Sequence, residues 1–205
     1  MPALPDQPKK PWSMKWIVLA IILFMGAYTY LTLHFRKANR SFEPYNDIKN
    51  RGQTHNLLTA GYQRVTLSAE LPTNELPLES SARISAAGGG LPGDLVTSLF
   101  DQPRLPDSYQ GVQAPAQISG LLPFRIIFDC AVADNHQQFG AAYLYIRGNT
   151  IVLAPEFEKL DGELLSRNRT SHVQLTIPGG AIKPGQYEVL LAGRTASRTW
   201  TMQVN

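Results

Sequence analysis

Few side chains in this 205-residue chain have the types and spacing for acid–base, metal or nucleophilic chemistry. There are four histidines, His34, His55, His136 and His172, and one cysteine, Cys130. No two histidines stand in an H-x-H or H-x-x-x-H spacing, which would place two imidazoles on one face for a metal ion. Asp134-Asn135-His136 sets three polar side chains in a row. Asp and Asn are also turn formers, because their short side chains bond the backbone two residues on, so the cluster reads as a turn between strands. Cys130 falls in an apolar alternation and reads as a small buried hydrophobe. A Cys130–His136 pair would need residue 130 to point outward, against that alternation. Glu156, Glu158, Asp161 and Glu163 read as a solvated acidic face. No G-x-S-x-G elbow or carboxylate pair in a defined context is visible. Gly88-Gly89-Gly90 lacks the Lys-Ser or Lys-Thr and the leading strand of a phosphate loop. The residues thus assign no catalytic, cofactor or metal position, and the expectation is a protein that is not an enzyme.

Bulk charge adds little. The net charge is +3 and the pI about 9.0, which ordinary surface lysines and arginines explain. No basic run interleaved with aromatics appears, so nucleic acid is not an expected partner. One cysteine permits no intramolecular disulfide, which fits a reducing compartment or a periplasmic domain that needs no staple.

The strongest element is an anchor. Trp16 to Phe35, WIVLAIILFMGAYTYLTLHF, carries no Lys, Arg, Asp or Glu. As a helix its 20 residues span about 30 Å, the thickness of a hydrocarbon core. The run is too long for a signal peptide's apolar core and has no A-x-A exit. Trp12 and Trp16 mark one interface, and Tyr28 and Tyr30 lie toward the other. His34 sits at the helix exit as a solvated flank. Basic residues nearly balance across the span: Lys9, Lys10 and Lys15 before it, Arg36, Lys37 and Arg40 after it. The N-terminal amine tips the count toward an inside N-terminus. The expected location is therefore a single-pass protein of a bacterial inner membrane, with the C-terminal domain outside the cytoplasm.

Around the anchor the chain divides as follows. Residues 1–15, with four prolines, are expected to be a disordered tail. The span covers 16–35. Residues 36–61 are expected to form a juxtamembrane helix or a stalk, with Pro44 as first helical residue, Gly61 as stop, and Tyr45, Ile48, His55 and Leu58 near one face. Residues 62–72 form a strand, since Val65, Leu67 and Ala69 alternate with Thr66, Ser68 and Glu70. Residues 73–120 lose periodicity and are expected to be a Pro/Gly-rich linker, with Leu95 to Phe100 as one apolar turn that docks on a neighbour. Residues 121–205 are expected to be a β-sandwich domain. Phe124, Ile126, Phe128, Cys130 and Val132 line one strand face. Leu144 and Ile146 follow, then Gly148-Asn149 as a two-residue turn into Thr150 to Leu153. Glu156 to Leu165 is expected to be a polar connection or a helical turn. Val173, Leu175 and Ile177, then Trp200, Met202 and Val204, complete the alternation.

One segment carries a resemblance. In Ala181 to Ala192, AIKPGQYEVLLA, an apolar residue and Pro-Gly lead to a tyrosine that opens an alternating strand. Ile182, Pro184, Gly185, Tyr187, Val189 and Leu191 resemble the late-strand segment of fibronectin type III and related immunoglobulin-like modules. The resemblance implies an immunoglobulin-like sandwich, with the Tyr187 ring in the core and its hydroxyl returned to nearby backbone; with the anchor, the expected fold class is a single N-terminal transmembrane helix plus an all-β soluble domain. It implies nothing about function. The antibody-type cysteine pair is absent. The arrangement of tail, span and β-domain also resembles small accessory proteins of bacterial cytochrome-oxidase assembly, without a matching motif. The expected function is a membrane-anchored, non-enzymatic binding or assembly factor, whose partners are the lipid bilayer and another membrane or envelope protein. The alternatives are an envelope structural or adhesion module, and an enzyme with an undetected site.

Overall fold

The computed structural model describes residues 13–35, 44–71, 81–160, 165–166 and 168–205. The expected tail lies almost wholly outside them, as do the basic cluster from Arg36 to Arg40, the first part of the expected linker, and Asp161 and Glu163. The chain separates into two units, residues 1–47 and 48–205.

In the first unit, helix α1 (Met14–Phe35) is exposed at every described side chain, with Trp16, Leu23, Phe24 and Leu33 each about two-thirds or more exposed. It is long and apolar enough to cross a membrane, with a mean hydropathy of 2.0 over an 18-residue stretch. Its threonine hydroxyls are answered internally: Thr29 donates to the Met25 carbonyl and Thr32 to the Tyr28 carbonyl, both at 2.7 Å. That is what a hydrocarbon surround demands, since it offers no partner to a polar group.

The second unit is a curled mixed sheet. Its strands are β1 (Gln63–Glu70), β2 (Ser85–Gly88), β3 (Ser108–Gln113), β4 (Gln117–Ile118), β5 (Phe124–Ala131), β6 (Gln137–Arg147), β7 (Thr150–Lys159), β8 (Thr170–Ile177), β9 (Gly185–Leu191) and β10 (Ala196–Val204). The order is β2-β10-β9-β7-β6-β1-β8-β5-β3, with β4 also against β10. Pairs β7–β9 and β4–β10 are parallel and the others antiparallel. Strand β1 joins the two halves: Gln63 to Leu67 pair with β6, and Ser68 to Glu70 pair with β8. The curl brings the ends of the order together. Ser81 bridges Pro115, the Ala82 amide donates to the Ala114 carbonyl, and Arg198 on β10 donates to the Tyr109 carbonyl on β3.

The main core lies inside the curl. Phe128, Cys130, Leu153, Leu175, Leu191 and Val204 are fully or almost fully buried there. Strands β5, β8 and β10 present the inward faces that their period-two pattern predicts. The Gly148-Asn149 turn is present, with Arg147 opposite Thr150 and Gly148 at φ +55°. A second core lies outside, where Tyr62, Leu95, Tyr145, Val152 and Ala154 pack with Leu57 of helix α2 (Pro44–Thr59).

Three expectations change. Over residues 81–120 the expected linker is built into the fold, contributing β2, β3, β4 and helix α3 (Gly93–Ser98). Leu95 and Tyr109 are fully buried, because the curl closes through this segment. The apolar turn near Leu95 does dock, as expected. Helix α2 forms, yet it docks by another face. Ile48 and Leu58 are exposed and Leu57 is buried. From residue 48 onward the covered positions are Lys49, Gly52, Gln53, Asn56 and Leu57, with Ala60 just past the helix end, a stripe of mostly polar or small residues. Gly52 leaves room for the Phe100 ring, which a Cβ would meet at 3.0 Å. Finally, β7 runs to Lys159, so Glu156 to Lys159 are strand and not connection.

Candidate functional site

The turn expected at Asp134-Asn135-His136 is one. The Asp134 carboxylate accepts from the His136 amide at 2.9 Å, which is an Asx-turn. Asn135 accepts from the Arg169 guanidinium at 3.0 Å, and its carbonyl takes the Ser166 amide at 2.6 Å. These side chains are used in holding the loop between β5 and β6.

Cys130 is fully buried, and its thiol lies 3.5 Å from the Ser171 carbonyl. Burial, with a smaller contribution from Asp129, pushes the thiol up to about 12. A group held protonated so far above neutrality is not a nucleophile. It points into the core, while His136 lies in the loop.

One acid–base pair was not anticipated. His172 and Asp129 stand opposite each other on β8 and β5, and the His172 Nδ1 is hydrogen-bonded to the Asp129 carboxylate on the outer face. Both are nearly half exposed. Finding it from sequence needed the β5–β8 register, since 43 positions separate the two residues. A carboxylate can orient an imidazole for proton transfer. Among the described residues, no three His, Cys, Asp or Glu side chains gather as metal ligands. His34 closes α1, with its ring stacked on Tyr30, and His55 is on the exposed side of α2.

The triglycine is structural. Gly89 passes so close to the turn between β9 and β10 that a Cβ would run into the Arg194 carbonyl. The Gly90 amide donates to the Gly193 carbonyl at 2.7 Å. Of the acidic run, Glu158 is exposed and Glu156 is half-buried. Burial raises the Glu156 carboxyl, and the charges of Glu158 and Asp101 add to the rise.

Two surface grooves flank the sheet. One of about 460 Å³ is lined by Leu91, Val96, Arg104, Leu105, Gln137 and Arg194. Its Arg194 donates to Asp107 at 2.6 Å, so that cation braces the wall. The other, of about 600 Å³, is lined mainly by polar side chains, among them Arg83, Asn149, Gln186, Glu188, Thr199 and Thr201.

A third feature is a tip formed by two neighbouring turns, residues 119–123 between β4 and β5 and residues 178–184 between β8 and β9. Leu121 is 86% and Leu122 65% exposed there.

The chain matches no protein-family model, no curated protein and no solved structure.

Proposed function

We propose that this chain is a membrane-anchored, non-enzymatic binding or assembly factor. Helix α1 is the bilayer anchor, and the β-rich unit engages another membrane or envelope protein. The observation that carries the reading is a helix apolar on every face joined to a β-unit with its own core. An anchor holds such a unit at the membrane, where effective concentration favours a partner in the same membrane.

The β-unit is proposed to be immunoglobulin-like. Supporting this, Tyr187 is buried and its hydroxyl donates to the Lys183 carbonyl at 3.0 Å, four residues back, as in the tyrosine corner of such modules. The proposed setting is a bacterial inner membrane with the β-unit outside the cytoplasm.

Mild detergent extraction tests the partner reading. The full chain is expected to bring down one membrane protein at a constant ratio. Sedimentation with an envelope polymer and no protein partner would replace this reading with a structural or adhesion module. Sidedness has its own test. Gly88 is exposed with open space at its Cβ, so Gly88→Cys should react with an impermeant thiol reagent in intact cells while Cys130 stays silent. Labelling only after lysis would invert the topology.

A further inference from the structure

Leu121 and Leu122 are adjacent, and both are held out into solvent. A single exposed leucine is ordinary on a soluble surface, but a fixed apolar projection is a contact feature. The backbone that carries the pair is held in place. The Leu122 amide donates to the Ser119 carbonyl at 3.3 Å, the Gly120 amide to the Asn205 carbonyl at 2.9 Å, and the Gly180 amide to the Gly120 carbonyl at 2.7 Å. Gly179 lies so close to the Leu121 carbonyl that no Cβ would fit. Nor does the core need these leucines. Ile118, Ile177, Ile182 and Val204 are already buried.

The composition of the tip is one-sided. Residues 119–125 and 178–184, SGLLPFR and PGGAIKP, contain no Asp or Glu. Their charges are Arg125 and Lys183, both exposed. Leucines at the apex with cations on the rim suit a phospholipid surface, where the apolar side chains enter the acyl boundary and the cations meet anionic headgroups.

From this we infer that the Leu121–Leu122 tip inserts into the bilayer interface of an anionic membrane, as a second and weaker contact beside the anchor. The lysine and arginine give it a preference for anionic lipid. The inference rests on the reading of α1 as a bilayer anchor.

The test uses the full chain with Leu122→Cys carrying an environment-sensitive dye, since Cys130 is buried. It is reconstituted in phosphatidylcholine–phosphatidylglycerol vesicles with nitroxide-labelled acyl chains. Dye at Gln110→Cys, an exposed position on β3, is the reference. The expected result is blue-shifted emission at residue 122 and quenching at least about twofold stronger than at residue 110. Pure phosphatidylcholine, or the double change Arg125→Glu and Lys183→Glu, should reduce that difference while near-ultraviolet circular dichroism stays native. If the chain floats with the vesicles and residue 122 is quenched no more than residue 110, the tip is not a lipid contact and the anchor stands. If the chain does not float with the vesicles, the anchor reading falls and this inference with it.

Discussion

Tyr187 joins three requirements in one side chain. Its ring fills the main core beside Val189 and Leu191, its hydroxyl is satisfied by the Lys183 carbonyl, and that bond closes the Pro184-Gly185 turn. Tyr187→Ala should destabilise the β-unit by about 3–5 kcal/mol, the range for truncating a buried large aromatic. Tyr187→Phe keeps the packing and should lose only about 1 kcal/mol. Denaturant titration of the two variants checks the difference, and an unmoved midpoint for the alanine variant would mean that the ring is not a core residue. Glu156 works in the opposite direction. Burial raises its carboxyl in the folded state, so the folded chain holds its proton to higher pH than the unfolded chain does. Stability therefore falls as pH rises through the range between the unfolded and folded values, and the penalty persists at neutral pH. Glu156→Gln should raise the melting temperature at pH 7 and have little effect below the normal glutamate range. A gain of equal size at both pH values would sink that account. The partner of Tyr187 was legible because Pro-Gly before an alternating strand specifies a local, four-residue bond. The Asp129–His172 pair was not, because nothing local fixes which strand lies beside which.

Strands with a regular period and several large apolar residues announced themselves: β5, β8 and β10 bury the residues that alternation selects. The segment from 81 to 120 did not, since its strands are two to six residues long and owe their order to closure of the curl. Helix α2 was legible as a helix but not in its orientation, because from residue 48 onward it docks through Leu57 among polar and small residues, with little apolar periodicity to read. The triglycine is the sharpest place to test the closure. Gly89 has the Arg194 carbonyl where a Cβ would go, whereas Gly88, one residue earlier, has open space. Gly89→Ala should therefore cost about 2 kcal/mol or more, by forcing backbone apart. Gly88→Ala should stay within about 0.5 kcal/mol of the parent. Thermal melts of the pair decide it, and equal melting temperatures would show that the segment gives way freely. α3 is tied in separately: Asp94 forms an ion pair with Arg147, whose guanidinium also lies 5.2 Å from the Tyr62 ring centre.

The two units divide the labour of the chain, the first offering apolar surface on all sides and the second burying its own core. A chain beginning at residue 44 should therefore appear in the supernatant of a high-speed spin, since two exposed leucines give only marginal lipid affinity by themselves. Complete retention in the membrane pellet would reveal another strong membrane contact within residues 44–205. The position of β1 also bears on how the chain is made. This first strand lies in the middle of the sheet, with Gln63 opposite Ile146 and Glu70 opposite Gln174. Neither neighbour exists when β1 leaves the ribosome. At ordinary elongation rates it waits roughly 4–17 s for β6 and longer for β8. Throughout that wait both hydrogen-bonding edges are open to other nascent chains. The sequence QRVTLSAE answers the hazard with Arg64 and Glu70 flanking the alternating Val65, Leu67 and Ala69, a pattern that keeps an unpaired strand from adding to a stranger's sheet. The keystone of the fold is thus the first strand synthesised, held open until β6 and β8 have followed, and its charged ends are a safeguard of biogenesis as much as a feature of the finished surface.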